Sequence, residues 1–293
     1  MEVDGHALAL SNLDKVLYPD TGFTKAAVVG YYARVAPFLL PHLRRRALTM
    51  VRWPDGVTGP SFFEKRCPSH APGWVPRVAV EPGLVACTVD DLATLTWVAN
   101  LAALELHTPQ ATVDDPDRPS SVVLDLDPGE PADVLDCARV ALELHDLLTD
   151  LGLRAVVKTS GGKGLHVGIP IRGAHADDAK AFAHALGRLL ARRDPSRVTT
   201  VMRRDRRAGK VLLDWSQNDR HKTTVSAYSL RARATPSVST PVTWDEVRDA
   251  AGDGDPGRLT FDAPEVLERV ARHGDLYADN LAADQRLPHL PER

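Results

Sequence analysis

The sequence predicts a mixed α/β protein in which helices pack on central β-sheets. Two observations indicate this class: short apolar runs alternate with longer segments of helical periodicity, and turns rich in glycine, proline and aspartate separate them. The chain has 293 residues, 43% of them hydrophobic, which is enough for a sizeable core. We expect a single domain over residues 1–293, with an N-terminal part (1–110) and a core part with a last helix (111–293).

The N-terminal part contains three predicted elements. Thr24 is the expected N-cap of a helix with the sequence KAAVVGYYARVAPFLLPHL. The segment RALTMVRWPDG is predicted to be a strand that ends in a Pro-Asp-Gly turn. From Asp90, the segment DDLATLTWVANLAALELH has an acidic start and apolar residues at helical spacing, so we predict one buried helix.

The core part alternates strands and helices. The segment RARATPSVSTPVTWDEV is proline-punctuated and predicted to be extended. A last helix over 263–273 should begin after Asp262 and stop at Gly274. The other predicted elements are a strand at 122–127, a helix at 131–150, strands at 153–158 and 164–171, a helix at 175–193 and a strand at 210–215.

Composition narrows the class of protein. There is no signal-peptide pattern and no run of about 18 apolar residues that could span a bilayer, so we expect a cytoplasmic protein with no membrane partner. The three cysteines, Cys67, Cys87 and Cys137, form no CxxC pair. We therefore expect them to be reduced and structural, and to form neither a disulfide framework nor a zinc site.

Charge is distributed unevenly along the chain. Residues 67–153 hold 3 basic and 15 acidic residues, whereas residues 154–233 hold 18 basic and 6 acidic ones. The basic block suits a phosphate-rich partner, because lysine and arginine release condensed counterions when they neutralise phosphates. On charge alone, a solvated basic face explains the block equally well.

Three aspartates are candidate metal ligands. In VVLDLDPGE, Asp125 and Asp127 lie on one side of a predicted strand, and a divalent magnesium or manganese ion would best relieve their repulsion. An acidic turn is the simpler interpretation of this pair alone. Asp214 in KVLLDWSQN supplies a third carboxylate at a second strand end, and three such carboxylates can hold two metals for phosphoryl transfer. A solitary buried Asp214 bonded to backbone amides is the alternative.

Candidate phosphate-binding groups lie between these strands. The turn in VVKTSGGKGLHVGIPI lets backbone N–H groups approach a phosphate, and Ser160, Lys163 and His166 add donors, although a plain glycine hairpin would also explain the glycines. The turn is not a Walker A loop. Arginines in VMRRDRRAGK and SLRAR, which include Arg207 and Arg231, suit bidentate binding of phosphates.

The N-terminal part mixes aromatic and basic residues. This mixture is typical of surfaces on which bases stack and phosphates are bound, although half-buried core phenylalanines are the usual explanation of adjacent Phe residues. The residues concerned are Lys15, Tyr18, Arg52, Trp53, Phe62, Phe63 and Lys65.

Seven segments in order resemble one family. LSNLDKVLYP, RWPDGV with SFFEK, WVANLAALELH, LDLDPG, KTSGGKGLHV, DWSQN and AYSLRAR resemble the polymerase domain of bacterial ligase D, from about residue 7 to the last helix. That family belongs to the archaeo-eukaryotic primase superfamily and works in non-homologous end joining. The resemblance implies a primase-type catalytic core and a template-directed nucleotidyltransferase that extends DNA ends or fills gaps. It also implies a preference for ribonucleotides and a two-metal site for Mn²⁺ or Mg²⁺.

The resemblance implies roles for individual residues. The catalytic and metal-binding residues would be Asp125, Asp127 and Asp214. The residues that bind the incoming nucleotide would be Ser160, Lys163, His166, Gln217, Arg231, His107 and Arg207. The DNA-binding residues would be Asn12, Lys15 and Lys25 around a 5′-phosphate, together with Arg52, Phe62, Phe63 and Lys65.

The resemblance also implies partners. These would be DNA ends with a 5′-phosphate, an NTP or dNTP, and Ku with a separate DNA ligase, in the nucleoid. Residues 1–110 would bind the DNA end. No KxDG ligase motif occurs, so we expect a stand-alone polymerase homologue or an isolated domain. Two other hypotheses stay open from the residues: a two-metal nuclease or phosphodiesterase, and a non-catalytic DNA-end-binding scaffold.

Overall fold

The structure of the chain, a computed structural model, describes residues 1–288 and is mixed α/β. The strands in this range are β1 (Glu2–Val3), β2 (His6–Ala7), β3 (Val16–Tyr18), β4 (Phe23–Thr24), β5 (Thr49–Arg52), β6 (Phe62–Glu64), β7 (Arg77–Glu81), β8 (Leu84–Cys87), β9 (Ala103–Thr108), β10 (Ser121–Pro128), β11 (Val156–Thr159), β12 (Leu165–Pro170), β13 (Val198–Thr199), β14 (Val211–Asp214), β15 (Thr224–Val225) and β16 (Pro241–Val242). The α-helices are α1 (Lys25–Leu43), α2 (Leu92–Asn100), α3 (Val134–Asp150), α4 (Ala176–Arg193), α5 (Trp244–Asp253) and α6 (Ala263–His273). Short 3₁₀ helices span Arg204–Arg206, Trp215–Asn218, Pro256–Leu259 and Ala278–Leu281. Within the described range, no helix has both the length and the apolar character needed to cross a membrane.

The chain divides into two compact units. The first unit comprises residues 1–114, 223–239 and 261–275, and the second comprises residues 115–222, 240–260 and 276 onward. Residues 223–239 and 261–275, which were expected in the core part, lie in the first unit, and the expected division between residues 110 and 111 stays a prediction. The last five residues of the predicted domain, 289–293, lie outside the described residues.

The second unit is built on a six-stranded sheet with the order β13-β14-β10-β12-β11-β16. Its strands pair in antiparallel fashion except β13 and β14, which are parallel. Helix α4 packs closely on it at Gly187, where an added Cβ would lie 2.7 Å from Thr200 and 3.1 Å from Leu213. Because side chains alternate along a strand, Asp214 points to the sheet face opposite α4.

The first unit contains an antiparallel sheet with the order β15-β9-β5-β6, together with three two-stranded pairs. Helix α1 has the predicted bounds and begins after Thr24, whose Oγ1 accepts a hydrogen bond from the Ala27 amide at 3.2 Å. The buried Tyr32 of α1 donates its hydroxyl to the carbonyl of Leu104 at 2.7 Å. This bond attaches the helix to β9.

Two predictions of secondary structure are wrong. The helix expected from Asp90 to His107 ends at Asn100, and the chain then passes through Ala102 at φ 56° into strand β9. Pairing of β9 with β5 and β15 outweighs the helical spacing of its apolar residues. The segment expected to be extended contains the start of α5, where Thr243 and Glu246 form a reciprocal capping box that the sequence displays.

The expectation of three reduced cysteines is also wrong. Cys67 and Cys87 form a disulfide with a Cα–Cα distance of 4.9 Å, whereas Cys137 is free and buried. The loop after β6 is held against β8 by a bond from the Cys67 amide to the Val85 carbonyl at 2.8 Å. Tertiary pairing of a loop with a strand therefore brings the sulfurs together, and the sequence spacing carries no sign of it.

Candidate active site

Two of the predicted aspartates face each other across neighbouring strands of the second unit. Asp125 on β10 and Asp214 on β14 are direct antiparallel partners, so their side chains lie on the same face of the sheet. They are 7% and 8% exposed. Asp127 lies two residues beyond Asp125, on the same face by strand alternation, and is exposed. The strand register therefore brings the three predicted carboxylates to one region.

The row of side chains continues on the other side of Asp125. His166 on β12 is the partner of Asp125, and Lys158 on β11 is the partner of His166. The His166 ring lies 3.2 Å from each neighbour, with Nε2 toward Asp125 Oδ1 and Nδ1 toward Lys158 Nζ. A lysine ammonium can only donate, so Nδ1 accepts from it and the ring hydrogen lies on Nε2, which faces Asp125 Oδ1. His166, predicted to bind the nucleotide, thus contacts a catalytic candidate.

Asp214 is held by the 3₁₀ helix that follows it. Its Oδ1 accepts from the amide and the hydroxyl of Ser216 at 2.9 and 2.6 Å. Its Oδ2 accepts from Gln217 Nε2 at 3.0 Å. Gln217, predicted to bind the nucleotide, therefore contacts a carboxylate of the proposed triad. The bond from the Ser216 amide is the contact expected if Asp214 were simply a buried aspartate.

The donors near Asp125 and Asp214 are of the kind that binds a hard metal ion. Among residues 1–288, no three His, Cys, Asp or Glu side chains are already gathered around a common point for coordination. The donors available on β10 and β14 are nevertheless carboxylate oxygens, which are the ligands that hard ions such as Mg²⁺ and Mn²⁺ prefer. The residues fit such an ion by their chemistry and their strand register.

The glycine turn lies beside the same strand. Ser160 Oγ accepts from the amides of Gly162 and Gly164, both at 3.2 Å. An added Cβ at Gly164 would lie 2.0 Å from the Leu126 carbonyl, so only glycine permits this approach to β10. Lys163 is exposed and binds Glu130 Oε1 at 2.6 Å, and this hydrogen bond lowers the pKa of Glu130. Ser160 therefore shapes the turn, and Lys163 lies on its surface.

Arg207 lies beside the turn that ends β10. An added Cβ at Gly129 would lie 2.1 Å from the Arg207 carbonyl, and the Gly129 amide donates to the Lys210 carbonyl at 2.8 Å. The Arg207 guanidinium donates to the carbonyl of Met202. The backbone of Arg207, within the basic segment VMRRDRRAGK, therefore packs against the end of the strand that carries Asp125.

Glu105, His107 and Arg231 form a cluster in the first unit. Glu105 Oε2 lies 2.9 Å from His107 Nε2, and its Oε1 lies 3.0 Å from Arg231 Nε and 3.1 Å from the Ala232 amide. Burial alone would raise the pKa of Glu105, but the hydrogen bond from His107 and the charge of Arg231 outweigh it and lower the pKa to about 2. The sequence predicted His107 and Arg231 for nucleotide binding but missed Glu105.

Cations converge at the start of α1. Lys25 is 6% exposed, and its Nζ donates to the Ser11 carbonyl at 2.7 Å. Its pKa is lowered first by burial and then by the positive charges of Lys15 and Arg52. Lys15 pairs with Asp55 at 2.7 Å, and its amide donates to the carbonyl of Asn12. Because the helix N-terminus is also electropositive, this region favours an anion.

The two adjacent phenylalanines point to opposite faces of the first unit's sheet. Phe62 packs under the Arg52 guanidinium, which lies 5.0 Å from its ring centre and binds Glu64 at 2.6 Å. Phe63 is 68% exposed and lies edge-on to His107, with ring centres 6.2 Å apart. The sequence predicted a shared role for the pair, whereas Phe62 lies with Arg52 and Phe63 with His107. Lys65 is exposed after β6.

Comparison with known proteins identifies the family. Residues 24–277 match the family described as LigD, primase-polymerase domain. The chain belongs to this family. It is 42% identical over 275 residues to the multifunctional non-homologous end joining protein LigD of Mycolicibacterium smegmatis, and 31% identical over 274 residues to the bifunctional LigD of Bacillus subtilis. These matches cover 92% and 93% of this chain but 35% and 44% of the relatives, so the chain spans less than half of their length.

A solved LigD structure has the same fold. The structure described as the polymerase domain from Mycobacterium tuberculosis ligase D in complex with DNA matches with a TM-score of 0.86 and 39% identity. The match covers 94% of this chain and 98% of that one. The family, the mixed α/β fold and the enzyme class predicted from the sequence, a nucleotidyltransferase of the primase-polymerase type, are confirmed. The roles of individual LigD-type site residues stay predictions.

Proposed function

We propose that this chain is a DNA-dependent nucleotidyltransferase that extends DNA ends and fills gaps during non-homologous end joining, and that it prefers ribonucleotides. The observation that carries the proposal is the facing pair of buried carboxylates, Asp125 and Asp214, in a chain of the LigD primase-polymerase family. Ku and a separate DNA ligase would be its partners in the nucleoid.

Asp125, Asp127 and Asp214 would hold Mn²⁺ or Mg²⁺ as a pair of ions. Bound there, such ions supply the positive charge that stabilises the attacking and leaving oxygens of phosphoryl transfer. The chain's own residues orient the carboxylates. His166 Nε2 lies against Asp125 while Lys158 donates to the opposite ring nitrogen, and Ser216 with Gln217 holds Asp214.

The reaction itself is a transfer of one nucleotide. The 3′-hydroxyl of the primer attacks the α-phosphorus, the bond to the bridging oxygen breaks, and pyrophosphate leaves. The triphosphate would be bound by hydrogen-bond donors and cations of the chain, because these groups neutralise its charge. The proposed set is Ser160, Lys163, His166, Arg207, Gln217, His107 and Arg231.

The cations at the start of α1 would bind the 5′-phosphate at the downstream side of a gap. Lys25 is buried beside two other positive charges, which lowers its pKa, and a phosphate would relieve this repulsion. Lys15 and Asn12 lie in the adjoining loop. Arg52, Lys65, Phe62 and Phe63 would contact the DNA through its backbone and its bases.

A gap-filling assay tests the function. Labelled gapped duplexes with a 5′-phosphate or a 5′-hydroxyl are incubated with Mn²⁺ or Mg²⁺ and with ATP, dATP or no nucleotide. We expect metal-dependent insertion that is faster with ATP than with dATP and is stimulated by the 5′-phosphate. DNA that becomes shorter without nucleotide would indicate a nuclease, and phosphate-dependent binding without insertion would indicate a scaffold. Either result would overturn the proposal.

Lys25→Met tests the proposed 5′-phosphate site. Loss of a charged contact to phosphate should weaken binding of 5′-phosphorylated gaps by about tenfold. Binding of the matched 5′-hydroxyl gap should stay within about twofold of wild type, so the second substrate serves as the internal control. Fluorescence anisotropy measures the dissociation constants of the wild type and the variant for both duplexes. Equal loss on both substrates would show that Lys25 has no specific role in phosphate recognition.

A further inference from the structure

One buried carboxylate contacts both predicted nucleotide-binding residues of the first unit. Glu105 binds His107 with one oxygen, and binds Arg231 and the Ala232 amide with the other. We propose that Glu105 is a positioning residue that fixes His107 and Arg231 for the incoming nucleotide. This inference rests on the proposed function, because it assigns the role of Glu105 through the two residues expected to contact the nucleotide.

Strand geometry explains how Glu105 reaches His107. The two residues lie two positions apart on β9, so both side chains are on the same face of the sheet. On neighbouring β5, Val51 is the partner of Glu105 and Thr49 is the partner of His107. This register, together with the hydrogen bond to Glu105, fixes the side from which the imidazole can approach a ligand.

Arg231 is held through its backbone and its side chain. Its carbonyl accepts from the hydroxyl of the buried Tyr18 at 3.0 Å, and the next amide, that of Ala232, donates to Glu105. Its Nε lies 3.0 Å from the same Glu105 oxygen. This ion pair restrains the guanidinium, which matters because bidentate phosphate binding depends on the orientation of its plane.

A carboxylate at position 105 also decides which ring nitrogen of His107 carries hydrogen. An ionised carboxylate only accepts hydrogen bonds, so Nε2 of His107 must be the donor to Glu105. The low pKa of Glu105, about 2, keeps the carboxylate ionised at physiological pH. The hydroxyl groups of Tyr18 and Tyr32 stay protonated near this carboxylate. Their pKa values are raised mainly by burial and further by the negative charge of Glu105.

The same sheet offers a matched control. Glu64 on β6 binds Arg52 at 2.6 Å, and both side chains are largely buried. Arg52 also lies over the ring of Phe62, whereas the ring of Phe63 lies against His107. Glu64 thus makes an equivalent contact to a residue predicted to bind DNA. Replacing either glutamate by glutamine removes one charge and preserves the shape of the side chain.

Steady-state kinetics of the full chain on a gapped duplex distinguish positioning from general support of the fold. We expect Glu105→Gln to raise the KM for ATP by about tenfold and to leave the KM for DNA within about twofold. Glu64→Gln should do the reverse. In an Arg231→Ala background, Glu105→Gln should have less than about a third of its effect, because the two residues act together. An equal rise of both KM values, or independent effects of the two substitutions, would overturn the proposal.

A measurement without catalysis tests the same point. Nitrogen-15 spectra of the imidazole groups, with His107 assigned by the His107→Gln variant, report which ring nitrogen carries hydrogen. We expect hydrogen at Nε2 in the wild type and a mixture of both tautomers in Glu105→Gln. A mixture in the wild type would overturn the role of Glu105. If the wild type made no product, the proposed function would fail, whereas the His107 spectrum would still decide whether Glu105 fixes the ring.

Discussion

Glu105 in the first unit and Asp125 in the second are both buried carboxylates on central strands, and each has a histidine neighbour. Glu105 is surrounded by groups that balance its charge, namely His107, Arg231 and a backbone amide. Asp125 also contacts a histidine, His166, but it faces a second carboxylate, Asp214, across the strand pair. The two environments therefore differ in their charge balance more than in burial.

This difference indicates what each carboxylate is for. A buried carboxylate paired with arginine and histidine is satisfied by the protein itself, so it can serve to hold those partners in place. Two facing carboxylates repel each other and favour a bound cation. A protein retains such an arrangement where function needs it, even though it contributes little to folding stability.

The largest expected difference concerns turnover. Asp125→Asn should lower kcat for nucleotide insertion by at least about a thousandfold, because it removes a carboxylate of the proposed ion site. The matched charge removal Glu105→Gln should act mainly through the KM for ATP. Single-turnover insertion assays in Mn²⁺ and Mg²⁺, with DNA binding measured in parallel, make the comparison. Manganese-dependent synthesis by Asp125→Asn at wild-type rates would contradict the assignment.

The next difference concerns folding stability, for which the substitution at Glu105 should have the larger effect. Glu105→Gln should lower the free energy of unfolding at pH 7 by about 3 kcal/mol, because Arg231 then loses its buried counter-charge. Asp214→Asn should lower it by less, because relief of the repulsion with Asp125 offsets the loss of one hydrogen bond that Asp214 accepts. Urea denaturation of both variants and the wild type tests this. Similar losses in the two variants would show that both carboxylates are mainly structural.

The sequence predicted the strands that carry Asp125, His166 and Asp214 close to their observed bounds. The strands around Asp125, His166 and Asp214 appear as short apolar runs, and each polar residue interrupts an apolar pattern locally. Lys158 interrupts its strand VVKT in the same way, and the pattern could have indicated it. Which of these residues face each other depends on the register between strands, which the local pattern does not contain.

The Glu105 cluster was missed because its segment was interpreted as a helix. On a helix, residues two positions apart point in different directions, so Glu105 and His107 are not expected to meet. The alternation of apolar and polar residues in ALELHT predicts a strand if the chain is known to turn at Ala102. Arg231 reaches the cluster from a distant part of the chain, as Cys87 reaches Cys67, and such pairing requires the tertiary fold.

The smallest expected effect is the pH dependence of the free energy of unfolding that arises from the ionisation of Glu105. Its pKa is about 2 in the folded chain, below the ordinary value of 4.5, so its stabilising contribution is complete above about pH 4.5 and is lost as the pH falls toward 2. Between pH 7 and 3.5, the stability difference between wild type and Glu105→Gln should therefore shrink by roughly 1 kcal/mol. Other carboxylates titrate in both proteins and largely cancel in the difference. Urea denaturation at the two pH values tests it, and a difference that stays constant would show that the charge of Glu105 is not what stabilises the cluster.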